Sequence, residues 1–333
     1  MSQDVSSNAR HLGIEIELAG VEPSVLTQAI VQQFGGEVKQ HSAFEYQVVD
    51  SSAGKFIVEL DAALIKQLGE HEQSQSVLTN VGDSLLKFAA EQFVPWEVVT
   101  PPLLLDDLPK VTALIDDLRQ QGARGTRHAA RYAFGLHLNP EVTATDVSSL
   151  LAHLRAYFCL YDWIVAKEQL DLSRRLTPYI DHFKADYIDL VLSDDYQPDR
   201  MQWMRDYIEF NPTRNRSLDC LPLIAHLDES LVAALDDRDL IKPRPTFHYR
   251  LPNCDIDNPD WNIDYPWQLW RTVERLANAP EKLAKLIQAF VVDRKRLTHK
   301  IDKQWVADCE AFLIAEDLLS DDLAQRIDGE RSA

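Results

Sequence analysis

The sequence predicts an α+β fold, in which a curved and mainly antiparallel sheet has helices packed on one face. Strand-like segments, in which apolar and polar residues alternate, are interleaved with helical segments along the chain. Several of these strands carry polar residues two apart, so the other face of the sheet is predicted to be polar and functional. Residues 265–333 have a helical pattern, and we expect them to pack on the sheet as a C-terminal extension.

Composition limits the class of protein. No repeat or linker interrupts the 333 residues, so a single domain, 1–333, is predicted. The net charge of −19 argues against nucleic acid as the main partner, because phosphate binding depends on Lys and Arg. No apolar run is long enough for a membrane span, and residues 1–10 lack the apolar core of a signal peptide. Four scattered cysteines without C-x-x-C spacing predict a reducing cytoplasm and no disulfide framework.

The first predicted strand covers residues 13–18. Its alternation directs Ile14, Ile16 and Leu18 into a core, and it leaves Glu15 and Glu17 on the other face, roughly 6.5–7 Å apart. Two carboxylates this close raise each other's pKa unless a cation or several donors lie between them. A solvent-exposed strand with two ordinary glutamates is the alternative for this segment taken alone.

A helix is predicted over residues 22–36, followed by a hairpin of residues 44–50 and 55–61 with a four-residue turn. The second arm of this hairpin places Glu59 and Asp61 on one face. Both residues can contact a metal or a substrate, or can be exposed acids at a sheet edge.

A helix over residues 74–93 comes before a short strand within 94–102, and another helix is predicted over 106–121. Glu97 lies between apolar neighbours in that strand, where a lone buried carboxylate would be unfavourable.

A basic loop over residues 122–128 precedes a strand over 132–140, in which His137 and Asn139 share a face. The loop arginines form either a lid over a nucleotide or a basic surface patch; they are Arg124, Arg127 and the neighbouring Arg131.

The second half of the chain is mostly helical. Helices are predicted over residues 145–169, between 178 and 210, over 230–235, and over 266–326 with breaks at Pro280 and around 300–304. A polar loop over 211–219 contains Arg214 and Arg216, which can hold a phosphate or a substrate carboxylate or can be solvated. The last strand, 245–251, places His248 and Arg250 on one face.

The polar groups on these strands have a common chemistry. Carboxylates that meet on one sheet face repel one another, and hard divalent cations with oxygen ligands relieve the repulsion. An arginine within an apolar strand requires an anionic partner. A metal, an arginine and several carboxylates together are suited to binding the phosphates of a nucleotide.

With these segments in place, the chain resembles the amidoligases, relatives of glutamate–cysteine ligase and glutamine synthetase within the carboxylate–amine ligase superfamily. The resemblance rests on the motifs GIEIE (13–17), WEVVTPP (96–102), GLHLN (135–139), RSLD (216–219) and TFHYR (246–250). They occur in the order of the family and span roughly residues 12–251.

The resemblance implies a glutamine synthetase-like fold and an ATP-dependent ligase that activates a carboxylate as an acyl phosphate before an amine attacks it. It implies Mg²⁺ or Mn²⁺ ligated by Glu15, Glu17 and Glu97. His137 corresponds to a histidine at the nucleotide and metal site, and Arg250 to an arginine that contacts the transferred phosphate. The substrates would be small-molecule or peptide carboxylates and amines, and a homo-oligomer is compatible with the sequence.

Further roles are predicted around this framework. Asn139 and Arg216 would contribute to cofactor binding, His248 to metal binding, and Glu59 or Asp61 to orienting the amine. The chain departs from the family at two positions, where His248 replaces a glutamate and Asn139 replaces a second histidine. A catalytically degenerate binding protein and a metal-dependent hydrolase are therefore the alternatives.

Overall fold

The computed structural model describes residues 10–60, 95–128, 134–170, 180–299 and 302–332. Asp61, Arg131 and the predicted helix over 74–93 lie outside these ranges. The chain divides into two compact units, the first within Met1–Glu141 and Phe247–Asn262, and the second within Val142–Leu170, Pro178–Thr246 and Ile263–Ala333. The prediction of one catalytic domain remains a prediction.

The first unit is built on an antiparallel sheet. Its strands are β1 (His11–Leu18), β2 (Glu37–Gln40), β3 (Glu45–Ser51), β4 (Gly54–Leu60), β5 (Trp96–Val99), β6 (Leu103–Leu104), β7 (Leu136–Pro140) and β9 (His248–Tyr249). They are arranged in the order β2-β3-β4-β5-β1-β7-β9. Strand β1 is central, because β5 and β6 pair with one side of it and β7 with the other. The predicted α+β class is confirmed.

The alternating sequence pattern forms the core of this unit. Ile14, Ile16 and Leu18 of β1 are fully buried, as are Phe56 and Val58 of β4. Helix α1 (Pro23–Phe34) packs on this apolar face, where the rings of Phe34 and Phe56 lie 4.8 Å apart. Helix α2 (Leu108–Gln120) packs against α1 with its predicted apolar stripe buried. The apolar face therefore carries the helices and leaves the polar side chains on the other face.

Several strand predictions were wrong in detail. Strand β2 was not predicted, because all four of its residues are exposed and lack apolar alternation. The hairpin turn was predicted with four residues, but Ser51 pairs with Gly54 after a register shift, which leaves two residues between the strands. Strand β9 is shorter than predicted; Pro245 and Pro252 flank it and cannot donate to a strand ladder.

The second unit is helical around α3 (Val147–Lys167), which begins after Asp146; the Asp146 carboxylate accepts a hydrogen bond from the Ser149 N–H. Its other helices are α4 (Ala185–Leu192), α5 (Arg200–Phe210), α6 (Leu221–Leu227), α7 (Asp264–Ala277), α8 (Pro280–Arg294), α9 (Gln304–Ala315) and α10 (Asp321–Ser332). Helices α4, α7, α8 and α9 contact α3, and Pro280 begins α8 where a helix break was predicted. A short strand, β8 (Leu218–Asp219), also belongs to this unit.

One helix prediction in the second unit was wrong. The predicted helix over 230–235 is reduced to a short 3₁₀ turn, Glu229–Leu231, and α6 lies earlier in the chain. The prediction missed α6 because its apolar residues are consecutive and lack a helical period.

Among the described residues, no helix is both long enough and apolar enough to cross a membrane.

Candidate active site

Glutamates from four neighbouring strands stand in register on the polar face of the sheet. Glu17 of β1 is directly opposite Glu97 of β5, Glu97 is opposite Glu59 of β4, and Glu59 is opposite Glu45 of β3. Directly opposed residues of antiparallel strands point to the same side, with Cβ atoms about 4.5–5.5 Å apart. We call these four residues the glutamate row. All four side chains are only partly exposed, so their mutual repulsion is weakly screened by solvent.

Glu15 and His137 extend the polar face next to the glutamate row. They are opposed in the pairing of β1 with β7, and His137 Nδ1 lies 3.0 Å from Glu15 Oε2. The other ring nitrogen, His137 Nε2, lies 3.4 Å from Glu17 Oε1. A single imidazole therefore lies between the two carboxylates of the first strand.

Asn139 connects Glu15 to the last strand of the sheet. Its amide Nδ2 donates to Glu15 Oε1 at 3.0 Å, and its Oδ1 lies 2.7 Å from His248 Nδ1. His248 in turn lies edge-on to His137, with ring centroids 5.2 Å apart. Glu15, His137, Asn139 and His248 are all buried.

Backbone contacts fix the two glutamates of β1. The Gly135 N–H donates to Glu17 Oε2 at 2.6 Å, and the Glu17 N–H donates to the Gly135 carbonyl at 3.1 Å. The buried hydroxyl of Thr100 accepts from the Ile14 N–H at 2.9 Å, which fixes β1 next to Glu15. Gly13 makes room for Asn139, since a Cβ at position 13 would lie 3.2 Å from Asn139 Cβ.

Within the ranges that the structure describes, two sets of side chains are close enough together to share a metal ion. Glu17, Glu97 and His137 form one, and Glu15, His137 and His248 form the other; within each, one ligand atom from every residue lies within 4.8 Å of the others. The first set offers two carboxylates and one imidazole, and the second one carboxylate and two imidazoles. Carboxylates are the ligands that hard divalent cations prefer, whereas imidazole favours transition metals.

Cys254 lies near Glu17 but is unsuited to nucleophilic catalysis. Burial raises the pKa of its thiol, and the negative charge of Glu17 adds to the rise. A thiol must ionise to attack a substrate, so the carboxylates and histidines are the chemically relevant groups here.

The remaining predicted residues lie in different surroundings. Arg250 is buried and directly follows the strand that carries His248. Arg216 belongs to the second unit, where its Nε donates to Asn211 Oδ1 at 2.8 Å. Arg214 lies in the same polar loop and is partly exposed. The roles predicted for these arginines remain predictions.

The basic loop is attached to the segment after β9. The Thr126 N–H donates to the Cys254 carbonyl at 2.8 Å, and Arg127 pairs with Asp255 at 2.9 Å. Arg124 pairs through its backbone with Ala19. A lid function of this loop stays a prediction.

Three residues that contribute to the site, Glu45, Thr100 and Gly135, were not predicted as site residues from the sequence. Glu45 lies within the strand predicted over residues 44–50. Its spacing of two residues from Gln47 was the signal that could have placed both on the polar face. The hydrogen bonds of Gly135 and Thr100 depend on strand pairing, and no local pattern indicates them.

A family described as "putative amidoligase enzyme" matches residues 8–272 of the chain. The matched range includes every residue of the glutamate row and both sets of metal-ligand candidates. Neither a curated protein nor a solved structure matches the chain.

Proposed function

The chain belongs to the amidoligase family, and from this premise we propose that it is an ATP-dependent carboxylate–amine ligase. The reaction forms an amide through an acyl phosphate, and the substrates are an amino acid, amine or peptide. The observation that carries this proposal is the opposition of Glu17 and Glu97 on the sheet, with His137 at 3.4 Å from Glu17. This carboxylate pair is suited to a divalent cation, which a ligase that handles nucleotide phosphates requires.

The glutamate row concentrates negative charge on one part of the sheet, and this charge favours a bound cation. Like charges directly opposed on a sheet destabilise it, and the glutamate row contains three such oppositions in succession. When bound, Mg²⁺ or Mn²⁺ would neutralise charge on the phosphates of ATP during phosphoryl transfer. Glu17 and Glu97 would hold that ion, with His137 as the adjacent nitrogen ligand.

In the first step, an oxygen of the substrate carboxylate attacks the γ-phosphorus of ATP. The bond from that phosphorus to the bridging oxygen breaks, and ADP leaves with the electron pair. Arg250, as a cation beside the strand of His248, would stabilise the oxygens of the transferred phosphoryl group.

In the second step, the nitrogen of the amine attacks the carbonyl carbon of the acyl phosphate. Inorganic phosphate leaves with the electron pair of the C–O bond, and the attacking nitrogen loses a proton. Glu59 is suited to orient the amine and accept this proton, because it neighbours Glu97 on the polar face and is partly exposed.

The test measures ADP release from ATP on addition of candidate amino acids and amines, in the presence of Mg²⁺ or Mn²⁺. Glu17→Gln and Glu97→Gln are each expected to lower the rate by about 100-fold or more, as loss of transition-state charge stabilisation does. Glu22→Gln is the matched control, because Glu22 is exposed and its side chain makes no capping hydrogen bond.

The alternatives give different results in the same experiment. Cleavage of an amide or phosphate ester without ATP would identify a hydrolase. Nucleotide binding that ignores divalent cations, without ADP release, would identify a degenerate binding protein. Equal turnover in Glu97→Gln and the wild type would remove the glutamate row from the mechanism.

A further inference from the structure

The peptide group that joins Phe134 to Gly135 lies between a buried hydroxyl and a carboxylate of the candidate active site. Its N–H donates to Glu17 Oε2 at 2.6 Å, and its carbonyl accepts from Thr126 Oγ1, also at 2.6 Å. We propose that Thr126 is a positioning residue, which orients the Glu17 carboxylate through this peptide group. The inference rests on the proposed function in one respect, because that proposal makes Glu17 a cation ligand.

The hydroxyl proton of Thr126 is directed to the Phe134 carbonyl. The Cys254 N–H donates to Thr126 Oγ1 at 3.0 Å, so this oxygen accepts one bond and has a single proton to donate. The Cys254 carbonyl lies 3.1 Å from Oγ1, but it already accepts the Thr126 N–H at 2.8 Å. The Phe134 carbonyl is the nearer acceptor. Thr126 is fully buried, so bulk solvent does not compete for this proton.

The two hydrogen bonds of the peptide group strengthen each other. A carbonyl that accepts a hydrogen bond polarises the N–H of the same peptide group, and bonds in such a chain reinforce one another in the protein interior. The last acceptor is a carboxylate, and hydrogen bonds to an ionised acceptor are among the strong ones. The Thr126 hydroxyl also fixes the plane of the peptide group, and this plane sets the direction in which the Gly135 N–H meets Glu17.

The bond from Gly135 decides how Glu17 faces the rest of the site. With Oε2 on the Gly135 N–H, Oε1 lies 3.4 Å from His137 Nε2, within the set of Glu17, Glu97 and His137. The terminal torsion of a glutamate is broad, so a carboxylate without this bond rotates more easily. Thr126 therefore acts on the candidate ligand set through the orientation of Glu17.

Selective labelling makes this peptide group visible by nuclear magnetic resonance. Labelling the full chain with ¹³C′-phenylalanine and ¹⁵N-glycine selects the Phe–Gly peptide groups, of which the sequence has two, one ending at Gly35 and one at Gly135. The first is an internal reference, because the Gly35 N–H donates to the Val31 carbonyl. The sample contains neither metal nor nucleotide. In the wild type we expect the Gly135 amide proton downfield of that of Gly35, because its acceptor is a carboxylate.

Variants separate positioning from a purely structural role. Thr126→Val removes the hydroxyl and keeps the shape of the side chain, so it should move the Gly135 amide proton and the Phe134 carbonyl carbon upfield. Thr126→Ala should do the same, and it replaces Thr126→Val where that variant does not fold. Thr126→Ser keeps the hydroxyl and should keep both signals close to those of the wild type. Thr27→Val is the matched control, because Thr27 is buried in the same unit and its hydroxyl donates to the Pro23 carbonyl.

Metal affinity is the functional readout. Loss of a group that orients a metal ligand commonly lowers metal affinity, so Thr126→Val should weaken Mn²⁺ binding by about tenfold or more. Thr126→Ser should bind Mn²⁺ as the wild type does, and so should Thr27→Val. The electron paramagnetic resonance signal of free Mn²⁺ measures the bound fraction.

Three results would overturn the inference. The first is a pair of Gly135 and Phe134 signals that Thr126→Val leaves unmoved. The second is a displacement in Thr126→Ser as large as that in Thr126→Val, since the hydroxyl would then not be responsible. The third is a Gly135 amide proton that Glu17→Gln does not shift upfield, and this measurement requires no Thr126 variant to fold.

The resonance measurement and the proposed function fail separately. The signals of Phe134 and Gly135 are recorded without metal, ATP, acid or amine. The expected shifts together with an unchanged Mn²⁺ affinity would therefore count against the cation role of Glu17 and support its positioning by Thr126. Unmoved signals would remove the positioning role and leave the proposed ligase activity standing.

Discussion

Glu97 is the residue whose replacement tests the electrostatics of the site most directly. It stands between Glu17 and Glu59 and is directly opposed to both. The change Glu97→Gln keeps the shape of the side chain and removes its charge. Each like-charge opposition costs about 0.2–1 kcal/mol, so relief of two oppositions is worth about 0.4–2 kcal/mol. We therefore expect the metal-free variant to be more stable than the metal-free wild type.

Divalent cations should reverse much of this advantage. At a metal concentration of about 100 times Kd, binding stabilises the wild type by about 2.7 kcal/mol, and a tenfold weaker variant gains only about 1.4 kcal/mol. Thermal unfolding with and without chelator measures both quantities, since 1 kcal/mol corresponds to a shift in Tm of about 2–4 °C for a domain of 150–250 residues.

Two further variants provide the comparison. Glu45→Gln, at the end of the glutamate row, relieves the single opposition with Glu59 and should gain about half as much. Glu22→Gln should change neither the metal-free stability nor the response to metal. A metal-free Glu97→Gln protein that unfolds at a lower temperature than the wild type, with its metal response intact, would refute the reasoning.

Three other predictions concern positions around the site and the core. Gly13→Ala should lower metal affinity without removing a ligand, because the added Cβ would lie 3.2 Å from Asn139 Cβ and would displace the amide that donates to Glu15; unchanged Mn²⁺ binding would contradict this. Burial raises the pKa of Glu141, but hydrogen bonds from the backbone and ring of His11 outweigh it, so the folded pKa lies below the ordinary 4.5. The stability that Glu141 contributes is therefore present above pH 4.5 and is lost as the pH falls through the folded pKa. The difference in Tm between the wild type and Glu141→Gln should accordingly disappear on acidification. Burial also raises the pKa of all four thiols, which should react with a thiol reagent only on unfolding; they are Cys159, Cys220, Cys254 and Cys309.

Local sequence patterns were sufficient where a single segment decides the structure. The alternation in residues 13–18 identified which side chains of β1 enter the core, because successive residues of a strand point to opposite faces. The helix predicted over residues 22–36 is found as α1 (Pro23–Phe34), and the helix predicted over 145–169 is found as α3 (Val147–Lys167). Proline suits the start of a helix and aspartate suits the position before it, so local sequence marks these ends. All four cysteines are buried, and none is paired with another in the structure.

Local patterns failed where pairing or context decides the structure. Strand β2 has no apolar residue pattern and exists because it pairs with β3. The hairpin turn has two residues instead of the predicted four, because the register shifts near the ends of the strands. Strand β9 is shorter than predicted because a proline lies on each side of it. Which strands pair at a given residue is a property of the whole sheet, and a short window of sequence does not specify it.

The sequence by itself determined that Glu15 and Glu17 share a face, that Glu97 lies on a strand, and that His137 and Asn139 alternate with apolar residues. Only the tertiary structure decided which of these side chains oppose one another, because the pairing register joins segments more than 75 residues apart, such as Glu17 with Glu97. A slip of one residue would turn a strand's polar side chains to the core face. The burial of the opposite face fixes that register, and with it the glutamate row and the contacts of His137 with Glu15 and Glu17.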